Sequence, residues 1–329
     1  MKGLAKGIGV LLFLFILSRI DLGALLGLLG RVNLPLLAVG LFLAVPMVVL
    51  KALRWHFFLD RVGVGIGRGE ALALYASGLF LGPATPGRLG EFIRVFYLAE
   101  RGHPVGTVFY TAFIDRFIDV VALLTIATVG IVFHPARFRV FLLPFLGGGI
   151  LAVVFLVLLC RPSAGIEGFL RRIVAGVLPE RTNERLDRVY AEFRTGLGTL
   201  DVFTFFGAFL VTMLCWGIYF YEVELFARSL GLSIPFSYLT TVTAIATTLG
   251  LIPVTIFGLG TRDAVFFLFL GEVHVPRESA EALSLVILLW NLFIVALAFP
   301  AWQWAAEHYA LDEILRRWKE RWRPSGKAS

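Results

Sequence analysis

The amino-acid sequence predicts an all-α polytopic membrane protein with about six full spans plus two re-entrant helical hairpins in an inverted repeat. Three observations carry that expectation. Apolar runs of spanning length recur along the chain, two further apolar regions are interrupted by Pro and Gly, and those two interrupted regions align with one another. Composition agrees. Of 329 residues, 58% are hydrophobic and only 16% charged, against about 25% charged in a soluble domain, and the mean hydropathy is +0.85. The 31 Phe and 34 Gly suit lipid-facing and helix-contact surfaces. A secreted enzyme, a cytosolic Rossmann-type enzyme and a nucleic-acid binder are excluded.

Spanning helices need roughly 17–25 apolar residues, and such runs lie near 4–20, 34–50, 107–133, 140–160, 202–227 and 281–305. The first resembles a signal peptide, with Lys2 and Lys6 before an apolar stretch. Ser18-Arg19-Ile20-Asp21 offers no small-residue cleavage site, so it reads as a retained span. The interrupted regions are 70–98, broken by Gly82-Pro83-Ala84-Thr85-Pro86-Gly87, and 236–271, broken by Gly250-Leu251-Ile252-Pro253 and Gly258-Leu259-Gly260. Pro removes a donor and clashes with the preceding turn, and Gly loosens the helix. Neither half of either region crosses alone, so each reads as a hairpin entering and leaving on one side. Irregular backbone at that depth must be buried in protein or line a wet cavity.

Basic residues set the sidedness. With Lys2 and Lys6 inside, the first two spans return the chain inside at Lys51, Arg54, Arg61 and Arg68, and a re-entrant first hairpin keeps it there at Arg101. Two more spans reach Arg161, Arg171 and Arg172. The 202–227 span leads outside, the second hairpin opens from that side, and the last span returns to Arg316, Arg317, Lys319, Arg321 and Arg323. Every strongly basic connection then lies on the cytoplasmic face, as do both termini, in a multi-pass protein of the inner (plasma) membrane. The net charge of +7 suits contact with anionic lipid at that surface. Segments 164–200 and 307–323 are amphipathic and are expected to lie in the interface.

The hairpins align without gaps at an offset of 170, with nine identities between Tyr75–Phe96 and Ile245–Phe266, among them Pro83/Pro253, Thr85/Thr255, Leu89/Leu259 and Gly90/Gly260. Each repeat unit is span, hairpin, span, over about 34–133 and 204–303 of a single transmembrane domain. Opposite sidedness of the hairpins makes this an inverted-topology repeat, which places a binding site near the midplane where the hairpins meet.

Charged residues inside these segments are the candidates for chemistry. Arg88, Glu91 and Arg94 follow the first break at i, i+3, i+6, along one face of a half-helix whose positive end suits an anion. A guanidinium there binds phosphate bidentately; the alternative is an Arg88–Glu91 or Glu91–Arg94 pair that fixes the hairpin. Arg262 and Asp263 hold the corresponding place after Gly258 and Gly260. Asp115, Arg116 and Asp119 lie inside a span, where ionisable groups mark function or a charge pair. Arg54-Trp55 reads as an interfacial cation beside an aromatic-belt Trp, and Glu222 and Glu224 as rim charges. The five His are scattered, and Cys160 and Cys215 sit in apolar runs. No metal site, disulfide framework, P-loop or nucleophile motif is present in the sequence, so neither a cofactor nor covalent chemistry is expected.

These residues resemble the flippase-like family, the membrane portion of bacterial lysylphosphatidylglycerol synthases together with stand-alone relatives. The resemblance rests on Arg54-Trp55; on Pro86-Gly87-Arg88-Leu89-Gly90-Glu91 with Arg94; on Asp115-Arg116 with Asp119; and on Pro253 followed by Gly258-Leu259-Gly260-Thr261-Arg262-Asp263. It implies movement of a polar or anionic lipid between leaflets, without the soluble synthase activity, since the sequence stops at Ser329. Phe257 departs from the pattern, standing where a Gly often precedes Gly258, and Asp263 replaces a usual Glu. On this reading Arg88, Arg94 and Arg262 contact the head group, and Glu91, Asp115 and Asp119 position them or bind a cationic part of it. The competing readings are an intramembrane transferase, with Asp119 or Glu91 as base, and a non-transporting partner in envelope lipid synthesis, with a homo-oligomer or a lipid-synthesis protein as partner.

Overall fold

A computed structural model describes residue 30 and residues 32–160, 183–251 and 261–309. Among them the regular structure is entirely helical: α1 (Leu34–Arg61), α2 (Arg68–Leu81), α3 (Ile93–Glu100), α4 (Val105–Phe133), α5 (Pro135–Cys160), α6 (Asn183–Leu197), α7 (Val202–Ser229), α8 (Phe236–Gly250), α9 (Thr261–Gly271) and α10 (Arg277–His308). Helices α1, α4, α5, α7 and α10 are long and apolar enough to cross a membrane. The predicted span 4–20, most of 164–182 and most of 307–323 lie outside the described residues, as do Pro253, Gly258 and Gly260.

The spans outrun their apolar stretches. The predicted 34–50 continues to Arg61 because Arg54 and Trp55, which end the hydropathy signal, are buried against other helices at 4% and 0% exposure. Local chemistry sets the starts: Asn33 Oδ1 accepts from Leu36 N at 3.2 Å and Asp201 Oδ1 from Thr204 N at 2.7 Å, each satisfying a first-turn donor.

Helix pairing follows a two-fold exchange. The equivalent spans α1 and α7 run antiparallel against each other: Asn33 N bonds Ser229 O at 2.9 Å, Gly40 faces the Phe226 ring, and Cys215 Sγ lies 4.0 Å from Met47 O. Helix α2 packs on α10, with Phe80 stacked on Trp302 at 4.8 Å between centroids and Glu70 bonded to Tyr309. Its counterpart α8 packs on α4, with Gly130 against Thr241 and His134 Nε2 3.3 Å from Ser237 Oγ. Each unit's first hairpin helix thus covers the other unit's last span.

The connecting turns repeat as well. Gly63 and Gly231 share φ +76°, and the amide of the next residue closes the same motif in each, Val64 N to Leu59 O at 2.9 Å and Leu232 N to Ala227 O at 3.0 Å. Gly102 (φ +88°) and His274 (φ +60°) do likewise. These pairs lie at offsets of 168 and 172, so the spans are displaced by two residues either way from the uniform offset of 170 expected from the hairpins.

Helix α6, the described part of the amphipathic segment 164–200, lays its apolar face on α4. Glu192 Oε2 accepts from Gly106 N at 2.9 Å, Phe193 packs edge-on to Phe113 at 5.5 Å, and Gly196 faces the Tyr110 ring at 2.5 Å from an ideal Cβ. A Cβ on Gly106 would meet the Val189 carbonyl oxygen, which no rotamer relieves. Gly106→Ala should lower stability by about 1–3 kcal/mol, read as a drop in Tm in detergent micelles. Gly65→Ala, with nothing within 4 Å, should leave Tm unchanged.

Candidate functional site

The site grows from a charge cluster where α1, α4 and the first hairpin meet. Asp115 and Asp119 lie one turn apart on α4 and share a face, as their spacing requires. Arg54 of α1 spans both: its Nε donates to Asp115 Oδ1 at 2.9 Å, its Nη1 to Asp119 Oδ1 at 2.9 Å and to Thr212 of α7, and its Nη2 to Asp115 O at 3.1 Å. Arg94 Nη2 donates to Asp115 Oδ2 at 2.9 Å. Its guanidinium lies over the Trp55 ring at 4.6 Å and the Tyr75 ring at 4.8 Å. Lys51 Nζ lies 3.5 Å from Asp119 Oδ2. Charge-assisted bonds in a dry interior are strong, yet each member depends on its partners remaining in place.

The cluster continues into the break. Arg116 pairs with Glu91 and reaches Asp119 Oδ2 at 3.9 Å, while Arg88 Nη1 stands 3.7 Å from Glu91 Oε1. Trp55 is not a belt residue: it is fully buried, and its indole Nε1 donates to Thr111 Oγ1 at 3.1 Å. Nor are Glu222 and Glu224 on a rim, with exposures of 0% and 4%; Glu224 Oε1 accepts from Arg228 Nε at 2.7 Å.

The break itself differs from the expected half-helix. Gly82–Ala84 and Pro86–Phe92 form 3-10 turns, and the α-helix resumes only at Ile93. Arg88 adopts φ +58°, so Arg88, Glu91 and Arg94 do not line one helical face, and the second α-helix of this hairpin begins only five residues past Arg88. Thr85 staples the turn, donating to Gly82 O at 2.8 Å and accepting from Gly90 N at 2.6 Å. The chain then doubles back so tightly that a Cβ on Gly90 would strike Leu81 O, and one on Gly78 would stand 3.0 Å from Glu91 O. The first interrupted region is therefore a folded-back helical pair. Helices α8 and α9 flank the second, with Arg262 and Asp263 in the first turn of α9.

A cavity of about 350 Å³ opens between the two halves. Pro83, Thr85 and Arg88 of the first break face it, as do Lys51, Arg116 and Asp119 of the cluster and Thr247, Gly250 and Arg262 of the second half. Among the described residues its charged lining is thus four cations and one carboxylate. Arg54, Glu91, Arg94 and Asp115 stand behind this wall and brace it. Arg262 is 7% exposed, and its Nε donates to Ser284 Oγ at 2.9 Å. Residues that the sequence did not single out are Lys51, placed in the interface, and Tyr75, Trp216, Tyr219, Trp290 and Asn291, which add aromatic and polar lining. Their signal was polar and amphipathic groups within otherwise apolar spans.

Long apolar helices around a charge-lined internal cavity define a polytopic α-helical membrane protein. Residues 3–298 match the family described as the lysylphosphatidylglycerol synthase TM region, and the chain belongs to that family, which makes it a membrane protein of lipid or envelope biology. The chain is also similar to a UPF0104 membrane protein of Methanothermobacter thermautotrophicus, at 22% identity over 269 residues that cover 76% of this chain and 79% of that relative.

Removing Arg54 would leave Asp115 and Asp119 without their shared partner at full burial. Arg54→Ala should therefore cost about 3–5 kcal/mol, read by thermal unfolding in detergent or as failure to accumulate. Arg88→Ala, at a side chain 42% exposed, should change stability by less than about 1 kcal/mol.

Proposed function

We propose that this protein moves a lipid with an anionic head group between membrane leaflets, using the cavity between the two hairpins as its midplane site. The observation that supports this reading is the lining, among the described residues, of four cations against one carboxylate. An excess of positive charge lining a cavity inside hydrocarbon is expensive, and an anionic head group, a phosphate above all, neutralises it with bidentate guanidinium bonds. Arg88 and Arg262 approach from opposite hairpins and hold the head group. Lys51 and Arg116 supply field from the wall, and Asp119 fixes their positions.

Membership of a lipid and envelope family accords with this. So does the exchange packing of equivalent helices, which an inverted repeat generates when one unit is turned over relative to the other. In this reading the first hairpin opens from the cytoplasmic side of the inner membrane and the second from the opposite side. The hairpins rock in turn about the fixed site, and the basic amphipathic segments rest on anionic lipid.

The test is lipid movement in proteoliposomes, with fluorescent lipids of anionic, zwitterionic and aminoacylated head group quenched from outside. Anionic lipid should move faster than in empty vesicles. Arg88→Ala and Arg262→Ala should each lower its rate about tenfold, the loss of one charge-assisted contact of about 1.5 kcal/mol. Movement equal to empty vesicles for all three lipids would sink the reading.

A further inference from the structure

A second cavity, also of about 350 Å³, lies in the seam between α1, α2 and α10. Every residue lining it is Ala, Val, Leu, Ile or Gly, and three of them, Val48, Leu79 and Ile294, also line the charged cavity. The two spaces are therefore neighbours across one shared wall, one cationic and one purely hydrocarbon. On the other side the groove meets the outer surface of the bundle, where Val45 and Leu297 are 41% and 49% exposed. The gap exists because small side chains line it: Ala73 and Ala76 on α2 and Ala298 and Ala301 on α10.

The repeat provides an internal comparison. At the hairpin offset of 170, the α2 residues Leu72, Ala73 and Ala76 correspond to Val242, Thr243 and Ala246 on α8. Those three are buried at 0–1% exposure, and α8 is closed over by α4 through Gly130 and Thr241. Helix packing of this type does not leave a groove by default: among the described residues, the α2 positions line a groove, whereas their α8 counterparts are buried.

We infer that the groove between α1, α2 and α10 receives the hydrocarbon tail of the same lipid whose anionic head group enters the charged cavity. The inference rests on the translocation reading and deepens it by giving the hydrocarbon chain of that lipid a site of its own beside the head-group cavity. A soluble phosphate metabolite leaves this groove unused. Burying a chain there is favourable where it displaces water, and within a bilayer it is close to neutral, because lipid is as apolar as the groove. The groove therefore adds register more than affinity: it holds the tail in hydrocarbon while the head group crosses, with Val48, Leu79 and Ile294 marking the boundary between the two environments.

Photolabelling tests it. The full chain is reconstituted in phosphatidylcholine vesicles doped with phosphatidic acid that carries a diazirine on its acyl chain, and the labelled residues are mapped by mass spectrometry. Labelling at Val45, Val49, Leu72 and Leu297 should exceed severalfold that at Val140, Leu143 and Leu151, which face outward on α5. Ala73→Trp should reduce it to the α5 level; Ala301→Leu, a smaller filling, should reduce it in part if the larger variant fails to fold. Groove labelling no stronger than α5, or unaffected by either filling variant, would overturn the inference. A parallel reaction with diazirine-phosphatidylcholine is the control for bulk lipid. Groove labelling equal for both lipids, even if abolished by filling, is ordinary bilayer lipid in an outward-facing groove and overturns the inference. Failure of the translocation reading shows separately, as no movement of anionic lipid in the vesicle assay.

Discussion

Placing two carboxylates one turn apart inside a membrane helix obliges the rest of the protein to bring cations to them, and Arg54 is the residue that meets this demand. Its three nitrogens engage Asp115, Asp119 and Thr212 at once, joining α1, α4 and α7 at a single point. From that point the remaining charges are fixed in turn. Asp115 has its second oxygen on Arg94, which draws α3 inward and clamps Trp55 and Tyr75 around a guanidinium. Asp119 has its second oxygen toward Lys51 and Arg116, and Arg116 in turn holds Glu91 at the break. A lattice of this kind is not a large source of net stability. It does make the geometry intolerant of alternatives, because any displacement strands a buried charge.

The two halves share a plan and divide the labour. Arg54 lies nine residues before the left-handed Gly63, and Glu222 lies nine before the left-handed Gly231. Asp119 lies seventeen residues after Gly102 and Asn291 seventeen after His274. Where the first unit carries its bridging arginine and an aspartate, the second carries a buried glutamate and an amide. The first unit therefore supplies most of the fixed charge on the cavity wall, and the second brings Arg262 against it with an aromatic and polar lining. Duplicate helices with unlike chemistry give a single site where they meet rather than two copies of one.

The helical class, the five described spans and the folded-back first hairpin were legible in the sequence, because hydropathy and the Pro and Gly breaks report backbone demands that burial cannot hide. Arg88, Arg116, Asp119 and Arg262 were legible as site candidates for a related reason, since a charge at that depth is too costly to be incidental. What could not be read was direction. The spacing of Arg88, Glu91 and Arg94 suggested one helical face, but spacing presumes an α-helix, and Thr85, Pro86 and the left-handed Arg88 interrupt it. Trp55 and Lys51 looked like interface residues because local sequence does not reveal that α4 and α7 cover them. The burial of Glu222 was hidden in the same way. In each case a long-range partner decided the outcome.

Arg88 differs from every other cation of the cluster in how it is held. A non-glycine residue in the left-handed region costs roughly 1–2 kcal/mol, and its conformation is maintained by the Thr85 bonds and the close return of Gly90 on Leu81. Arg54 and Arg94 are locked at 4% and 1% exposure, whereas Arg88 keeps 42% of its side chain exposed and holds Glu91 only at 3.7 Å. Strain of this kind persists where surrounding structure over-determines it, and it concentrates at sites that bind or switch. The buried charges are held by short contacts, and the left-handed loop presents one guanidinium that is partly exposed and holds its carboxylate only loosely. In the proposed translocation role, capturing an anion and then releasing it would draw on both.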